Sequence, residues 1–372
     1  MKTGLYIHIP FCKSKCLYCD FRSFANRDEY IGPYFSALKK ELRYWGEKEK
    51  DRVLDTVYFG GGTPSYVDAK LISEVIKEVK TIFNIQPDSE ITVECNPGTI
   101  GFQDFKLLKE AGANRLSLGL QSTDNSMLRA IGRIHTLEDF ERCFLDARRA
   151  GFFNISIDLM YGLPGMNLED WEQTLQKALS FDAEHISVYA LKVEEGTPFS
   201  KMKLALPNDD LTADMYELAV ETLRNNGYKR YEVSNFAKKG CESRHNQKYW
   251  RLDDYLGVGL GAHSFMDSER FFNISEMEEY ISAAESGGTL VEERTPVTLN
   301  EQMSEFVFLG LRCEDGISLR EFKKRFGVSI TDVFGAPIKK YTDWGFLVSD
   351  GERLKFSDKG FFVSNLILAD FV

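Results

Sequence analysis

The feature that most constrains this chain is an alternation that runs from residue 4 to about residue 190. A short apolar, β-branched run is followed each time by a longer amphipathic stretch. Strands are expected at residues 5–9, 56–59, 91–94, 115–120, 154–160 and 185–191, and helices at 34–46, 71–83, 105–111, 137–150 and 171–179, with Gly46, Gly112 and Gly151 as C-caps. Repeated strand-helix units of this kind build a parallel α/β sheet.

An open sheet and a barrel are both compatible with that pattern, and the unusual polar residues decide between them. They fall just after the strands: His8 to Cys19 after the first, Gly60-Gly61-Gly62-Thr63-Pro64 after the second, Glu94 at the end of the third, Gln121 at the end of the fourth and Asp158 late in the fifth. A barrel gathers all strand C-termini around one mouth, whereas an open sheet spreads them along an edge. The expectation is a partial, TIM-like (β/α)6 barrel.

The alternation ends in a helix at 211–226 and a short run at 230–236, so the barrel is assigned residues 1–236. Residues 237–297, with the glycine-rich stretch 257–262, are expected to form a connector or cover. From 298 to 372, helices at 303–311, 319–326 and 359–369 and a hairpin at 345–356, turning at Asp350-Gly351, suggest a smaller, mainly helical, winged-helix-like domain. The net charge of −11 argues for a packing role for that module and against nucleic acid as a partner. No run approaches the roughly 20 apolar residues of a membrane span, and no secretory leader is evident, so a cytoplasmic chain without a transmembrane anchor is expected.

Three of the seven cysteines, Cys12, Cys16 and Cys19, lie within eight residues, and the other four are scattered singly. Such crowding in a reducing compartment favours a metal over disulfides. Thiolates suit zinc or iron-sulfur clusters; structural zinc needs four ligands, and no second pair of ligands completes a set. Three ligands on a 4Fe-4S cubane leave one iron open, with Lys13 and Lys15 offsetting the site's negative charge. A chance grouping of thiols is the alternative. The segment Phe59-Gly-Gly-Gly-Thr-Pro64 lacks the Lys-Ser/Thr of a P-loop and reads as either a tight turn or a loop whose amides approach a ligand. Glu94, Gln121 and Asp158 interrupt apolar strands near the expected mouth, and Arg133 could pair with a carboxylate.

CxxxCxxC after a first strand, with an aromatic residue (Tyr18) before the last cysteine, resembles the radical-SAM superfamily. Further matches at residues 6–12, 60–64, 93–94, 114–121, 157–164 and 245–250 narrow the resemblance to the branch of oxygen-independent coproporphyrinogen III oxidases and HemW-type heme chaperones. The resemblance implies a 4Fe-4S cluster on Cys12, Cys16 and Cys19 that cleaves S-adenosylmethionine (SAM) reductively to a 5′-deoxyadenosyl radical. It implies SAM contacts from Tyr6, Gly61, Gly62, Thr63, Glu94, Gln121, Arg133 and Asp158, with the glycine-rich loop at the methionyl amino group and Tyr18 beside the cluster. The oxidases carry CxxxCxxCxC and a long preceding segment; here position 21 is Phe and eleven residues precede Cys12, which resembles the chaperone side, as does HNxxYW at 245–250.

That reading expects heme as a further cofactor, heme-accepting respiratory proteins and an electron donor as partners, and leaves room for transient membrane contact and a homodimer. His245, His263 and Cys241 are the candidate heme ligands, with Met266 near His263. His8 is expected to support the cluster loop. Oxidative decarboxylation of coproporphyrinogen III to protoporphyrinogen IX is the enzymatic alternative.

Overall fold

The computed structural model describes residues 2–372. Its centre is a sheet of six parallel strands in chain order, β1 (Lys2–Ile9), β2 (Val53–Gly61), β3 (Asn84–Cys95), β4 (Arg115–Gln121), β5 (Ile155–Tyr161) and β6 (His185–Ala190). Between them run α1 (Ile31–Lys48), α2 (Ala69–Ile82), α3 (Phe102–Ala111), α4 (Asn125–Ala130), α5 (Leu137–Arg149) and α6 (Leu168–Leu179), and α7 (Asp209–Asn225) follows β6. Helix starts follow local chemistry: Thr136 and Asn167 accept from the amides of Asp139 and Asp170, whose carboxylates bond back in capping boxes.

Period-two alternation sorts each strand into two faces. In β4, Leu116, Leu118 and Leu120 are wholly buried in the apolar core, while Arg115, Ser117, Gly119 and Gln121 line an internal cavity. In β6, Ile186 and Val188 join the core, and His185, Ser187 and Tyr189 line the same cavity. Residues from strands two to six can border one cavity only if the sheet curls, as a partial barrel does.

Residues 237–297 extend the sheet rather than cover it. Before them, β7 (Lys229–Arg230) pairs antiparallel with β8 (Asn235–Ala237), which adds antiparallel to β6. At the other edge β9 (Tyr255–Val258) pairs parallel with β1, and β10 (His263–Met266), β11 (Glu269–Asn273) and β12 (Val291–Pro296) continue antiparallel beyond it. The sheet has twelve strands and stays open. The glycine-rich stretch serves packing: Gly259, at φ +97°, sits where a Cβ would lie 2.5 Å from the Tyr34 hydroxyl, and its amide donates to Glu41 at 2.8 Å. Glu41 on α1 also accepts from Asn273 at 2.6 Å and from Tyr280 on α9 (Met277–Ser286) at 2.6 Å, so one buried carboxylate ties α1 to the added strands.

Gly46 is no C-cap. It lies inside α1, where a Cβ would come within 3.2 Å of Ile82, so it permits close approach to α2. Gly112 caps α3 at φ +114°, and Gly151 follows α5 at φ +91°. The helices α8 (Arg244–Trp250), which contains the HNxxYW residues, and α9 went unforeseen in the connector. The first amides of α8, on Arg244 and His245, donate to Glu90 at 3.0 Å each, and Lys248 pairs with Asp55 at 2.7 Å. Asp55 lies early in β2 and Glu90 pairs with its neighbour Thr56, so α8 closes the end of the barrel opposite the cysteine loop.

The C-terminal part has its own core. Helices α10 (Leu299–Gly310), α11 (Leu319–Phe326) and α12 (Ile330–Asp343) pack with a three-stranded sheet of β13 (Ile317–Ser318), β14 (Leu347–Ser349) and β15 (Arg353–Phe356), a winged-helix-like order. The expected final helix is divided into α13 (Asp358–Phe362) and α14 (Ser364–Leu368). Gly335 and Pro337 hid α12 from sequence reasoning; the backbone absorbs them with a kink at Phe334 (φ −116°, ψ 25°). Leu252 and Phe265 from the barrel side are part of this second core.

Replacing Glu41 by Ala should destabilise the fold by about 3 kcal/mol or more, because the Gly259, Asn273 and Tyr280 donors would be left buried without an acceptor. Chemical denaturation measures this, and a loss below about 1 kcal/mol would show that the carboxylate does not lock the added strands.

Candidate cluster and cofactor site

After β1 the chain passes through a loop anchored at both ends. The Phe11–Cys12 pair bridges parallel to Phe24–Ala25, and Lys15 donates to the Phe21 carbonyl at 2.9 Å. His8 Nε2 donates to the Arg22 carbonyl at 2.8 Å, which leaves Nδ1 to accept from the Tyr6 hydroxyl at 3.0 Å. Burial lowers the His8 pKa to about 4, so the ring is neutral and acts as a brace for the loop. Gly61, at φ +112°, is the residue His8 packs on: a Cβ there would meet the imidazole at 2.4 Å.

Cys12, Cys16 and Cys19 border one cavity of about 290 Å³, together with residues from the ends of β2 to β6. No three ligand side chains among the described residues converge on a single-ion site. Burial pushes the Cys12 thiol up, and pushes that of Cys19 up to about 11. Thiols of this kind reach the thiolate state by exchanging the proton for a metal, and a three-thiol donor set facing a cavity fits a cluster with one open iron.

A chain of hydrogen bonds joins the thiols to the barrel. Thr63 Oγ1 donates to Cys12 Sγ at 3.4 Å and accepts from Asn96 Nδ2 at 2.9 Å. Asn96 Oδ1 accepts from Arg133 Nη2 at 2.7 Å; the same nitrogen donates to the Gly119 carbonyl at 2.7 Å, and Nη1 lies 3.7 Å from Cys16 Sγ. Arg133 Nε is buried without a partner, a donor left over at the cavity wall that suits an incoming carboxylate.

The sequence-derived residues divide as follows. Gly61, Gly62, Thr63, Glu94, Gln121, Arg133, Asp158 and Tyr18 all line the cavity. Gln121 has φ +68°, costly for a residue with a side chain and typical of a functional position. Asp158 accepts from Ser117 at 2.8 Å and Ser156 at 3.1 Å. Burial, followed by the charge of Asp158, outweighs the Tyr58 hydrogen bond of 2.7 Å and raises the Glu94 carboxyl to about 7.

Two expectations change. The glycine-rich loop offers no free amides: Gly62 N donates to the Ile9 carbonyl and Thr63 N to that of Phe11, both at 2.8 Å, and Gly61 N bonds Glu94. Those amides are spent holding the cysteine loop against β2, which leaves the loop's carbonyls and the Thr63 side chain for a ligand. Tyr6 does not border the cavity, because its hydroxyl is turned to His8 and its ring packs beside Tyr58 and His245.

The heme candidates are not brought together. His245 is wholly buried, with Nδ1 bonded to Thr56 at 2.9 Å and Nε2 to Tyr249 at 2.8 Å, and burial lowers its pKa to about 3. A ring held at both nitrogens has no lone pair to give a metal. Cys241 has Glu184, Glu242 and Lys238 as its charged neighbours, whereas the exposed His263 stacks on Phe272 near Arg22 and Arg270. Met266 is buried. Sequence reasoning missed Arg115, Ser117, Asn96, Ser187 and Asn246, all of which line the cavity.

Residues 6–178 match the radical SAM superfamily model, and residues 297–363 match the HemN C-terminal domain. Heme chaperone HemW of Bacillus subtilis is 37% identical over 100% of this chain and 99% of its own length, and that of Lactococcus lactis is 35% identical over 100% and 97%. A solved structure of coproporphyrinogen III oxidase (HemN) from Escherichia coli superposes with a TM-score of 0.88 at 24% identity, covering 100% of this chain and 89% of that one, which concerns the fold. With a cysteine loop, a curled parallel sheet and full-length identity of this order, the chain belongs to the HemW family within the radical SAM superfamily.

Proposed function

We propose that this chain is a heme chaperone that carries a SAM-coordinated 4Fe-4S cluster and passes heme to acceptor proteins in the cytoplasm or at a membrane surface. The observation that carries this reading is identity of 35–37% to heme chaperones along the whole chain, against a likeness to the oxidase that concerns the fold. Phe21 supports it. The side chain that stands where the oxidases have a fourth cysteine is 64% exposed at the cavity mouth. No helix among the described residues is long and apolar enough to cross a membrane. We take 1–236, 237–297 and 298–372 as the working division of the chain, with the middle part structurally joined to the barrel.

In this reading Cys12, Cys16 and Cys19 hold the cluster, which when bound supplies an electron to SAM. Arg133 receives the SAM carboxylate through its unpaired Nε and keeps Asn96, and through it Thr63, aligned on the Cys12 sulfur. Glu94 and Asp158 accept from the amine or ribose hydroxyls, Gln121 contributes from the end of β4, and Tyr18 shields the cluster side of the cavity. Heme does not share this space. A cavity of about 290 Å³ is at the lower edge of small-ligand pockets and has no room for a tetrapyrrole beside SAM. Of the three heme candidates, His263 has its ring exposed and without a hydrogen-bond partner among the described residues, and it is our choice for the heme-facing ligand.

Heme titration of the purified protein should give a Soret band that survives desalting, and anaerobic incubation of the reconstituted protein with coproporphyrinogen III, SAM and a reductant should give no protoporphyrinogen IX. Stoichiometric turnover would overturn the chaperone-only reading. His263→Ala should weaken heme binding about tenfold or more while leaving the thermal transition in place. His245→Ala should instead lower the transition, since Thr56 and Tyr249 lose their partner; heme affinity unchanged in H263A would remove His263 as ligand.

SAM affinity should fall about fivefold between pH 7 and pH 6 as the Glu94 carboxylate, which titrates near 7, takes up a proton and ceases to accept. In Glu94→Gln the profile should be flat and the affinity low throughout. A flat wild-type profile between pH 6 and pH 8, measured by equilibrium dialysis, would rule out ionised Glu94 as an acceptor.

A further inference from the structure

Arg115 begins β4 and is 2% exposed, yet its guanidinium makes no ion pair or hydrogen bond to any described side chain or carbonyl, and its Nε is fully enclosed without a partner. Native structures rarely leave a buried cation in this condition, because the lost hydration has to be replaced by something. The carboxylates nearest in electrostatic terms are already engaged. Glu90 holds the first two amides of α8, and Asp158 holds two serines.

The backbone of Arg115 joins the cavity wall at the end of β4 opposite Gln121, while Glu94 and Asp158 are among the charges near its guanidinium. Arg115 opens β4 and Gln121 closes it, so six residues of strand, about 20 Å at the usual rise, separate the two ends. Arg133 reaches the cavity from beyond the far end. The walls near Arg115 come from Ser117, His185, Ser187 and Asn246. His185 adds no charge: its Nδ1 bonds Ser156 at 2.8 Å, its Nε2 bonds Tyr231 at 2.8 Å, and burial holds it neutral.

We propose that Arg115 is the anchor of a second compartment of the barrel, deep to the SAM site, which binds the carboxylate of a small molecule held alongside SAM. The planar fork of a guanidinium matches a carboxylate. A monoanion fits because the other cation at this end, Lys248, is already paired with Asp55 at 2.7 Å, and because Glu94 and Asp158 border the same cavity and disfavour a dianion such as phosphate. The proposal rests on the radical-SAM reading of the cavity and adds a class of ligand to it: a small monocarboxylate, not the cargo heme.

The test uses the reconstituted holoprotein under anaerobic conditions, with acetate and propionate as probes at constant ionic strength, followed by saturation-transfer NMR, and with SAM affinity measured separately by equilibrium dialysis. Wild-type protein should bind the probes saturably, with and without SAM present. Arg115→Met should lose probe binding at least tenfold while its cluster absorption is kept and its SAM affinity stays within about threefold; Arg133→Met should show the reverse. Ser187→Val, which narrows the compartment without touching the cation, should also weaken the probes. Absence of saturable binding in wild type, or probes that compete with SAM and respond to Arg133 alone, would overturn the proposal, because the anion would then be at the SAM carboxylate position. Failure of wild-type protein to bind SAM at all would instead strike the reading of the cofactor site.

Discussion

The rest of this structure depends on the closure of hydrogen bonds inside a curled sheet. Alternation places every second side chain of the parallel strands in the interior, and in this chain that interior set is polar: Thr56 and Tyr58, Glu94, Ser117 and Gln121, Ser156 and Asp158, His185 and Ser187. Polar groups withdrawn from water have to satisfy one another or a ligand. Most do so in pairs that cross between strands, such as Ser117 with Asp158 and Ser156 with His185. The helix α8 completes the set at one end, where Glu90 takes its amides and Thr56 takes His245. Of the buried donors left without a partner, two, Arg133 Nε and Arg115 Nε, are on residues facing the cavity, where a partner from outside could reach them.

The same closure explains how the cysteine loop is kept in register with the barrel. The loop has almost no regular structure, and its position is set by contacts made at a distance: His8 to the Arg22 carbonyl, Thr63 to Cys12, and Arg133 by way of Asn96. The last two links also occupy residues that line the cavity. A ligand that engages Arg133 therefore acts, through three successive hydrogen bonds, on the sulfur of Cys12. This couples cofactor binding to the geometry of the thiols without any moving element.

Much of this was legible in the sequence, and the reasons differ by residue. The six central strands and their helices were readable because periodicity is a local property, and Cys12, Cys16 and Cys19 because ligand spacing is. Gln121 was picked out because it interrupts an apolar run. Arg115, Ser117 and Gly119 share its parity on β4 and could have been found by counting back in twos, but Leu116, Leu118 and Leu120 between them made the strand read as simply apolar. Asn96 was not legible, since its role arises only when Thr63, Asn96 and Arg133, from three separate loops, meet. The strand β9 is four residues long in a glycine-rich stretch, and its identity is conferred by pairing with Gly4 to Ile7 of β1. The glycine-rich loop at 60–64, read from the sequence as either a tight turn or a loop with amides near a ligand, lines the cavity with its amides consumed by carbonyls that only tertiary packing brings near.

HNxxYW shows how far motif and mechanism can separate. Read as sequence, a histidine beside a free cysteine suggested a heme ligand. In the folded chain His245 is a joint: its ring stacks on Tyr58 at 5.1 Å, both its nitrogens are taken, and Lys248 in the same helix pairs with Asp55 on β2. For His245 to bind iron, its ring would have to give up its bond to Thr56 or to Tyr249 inside a wholly buried site, disturbing the joint between α8 and the barrel. The proposed ligand His263 lies outside the barrel interior, on β10 between β9 and β11, where it stacks on Phe272, so engaging it would leave the buried network around His245 undisturbed.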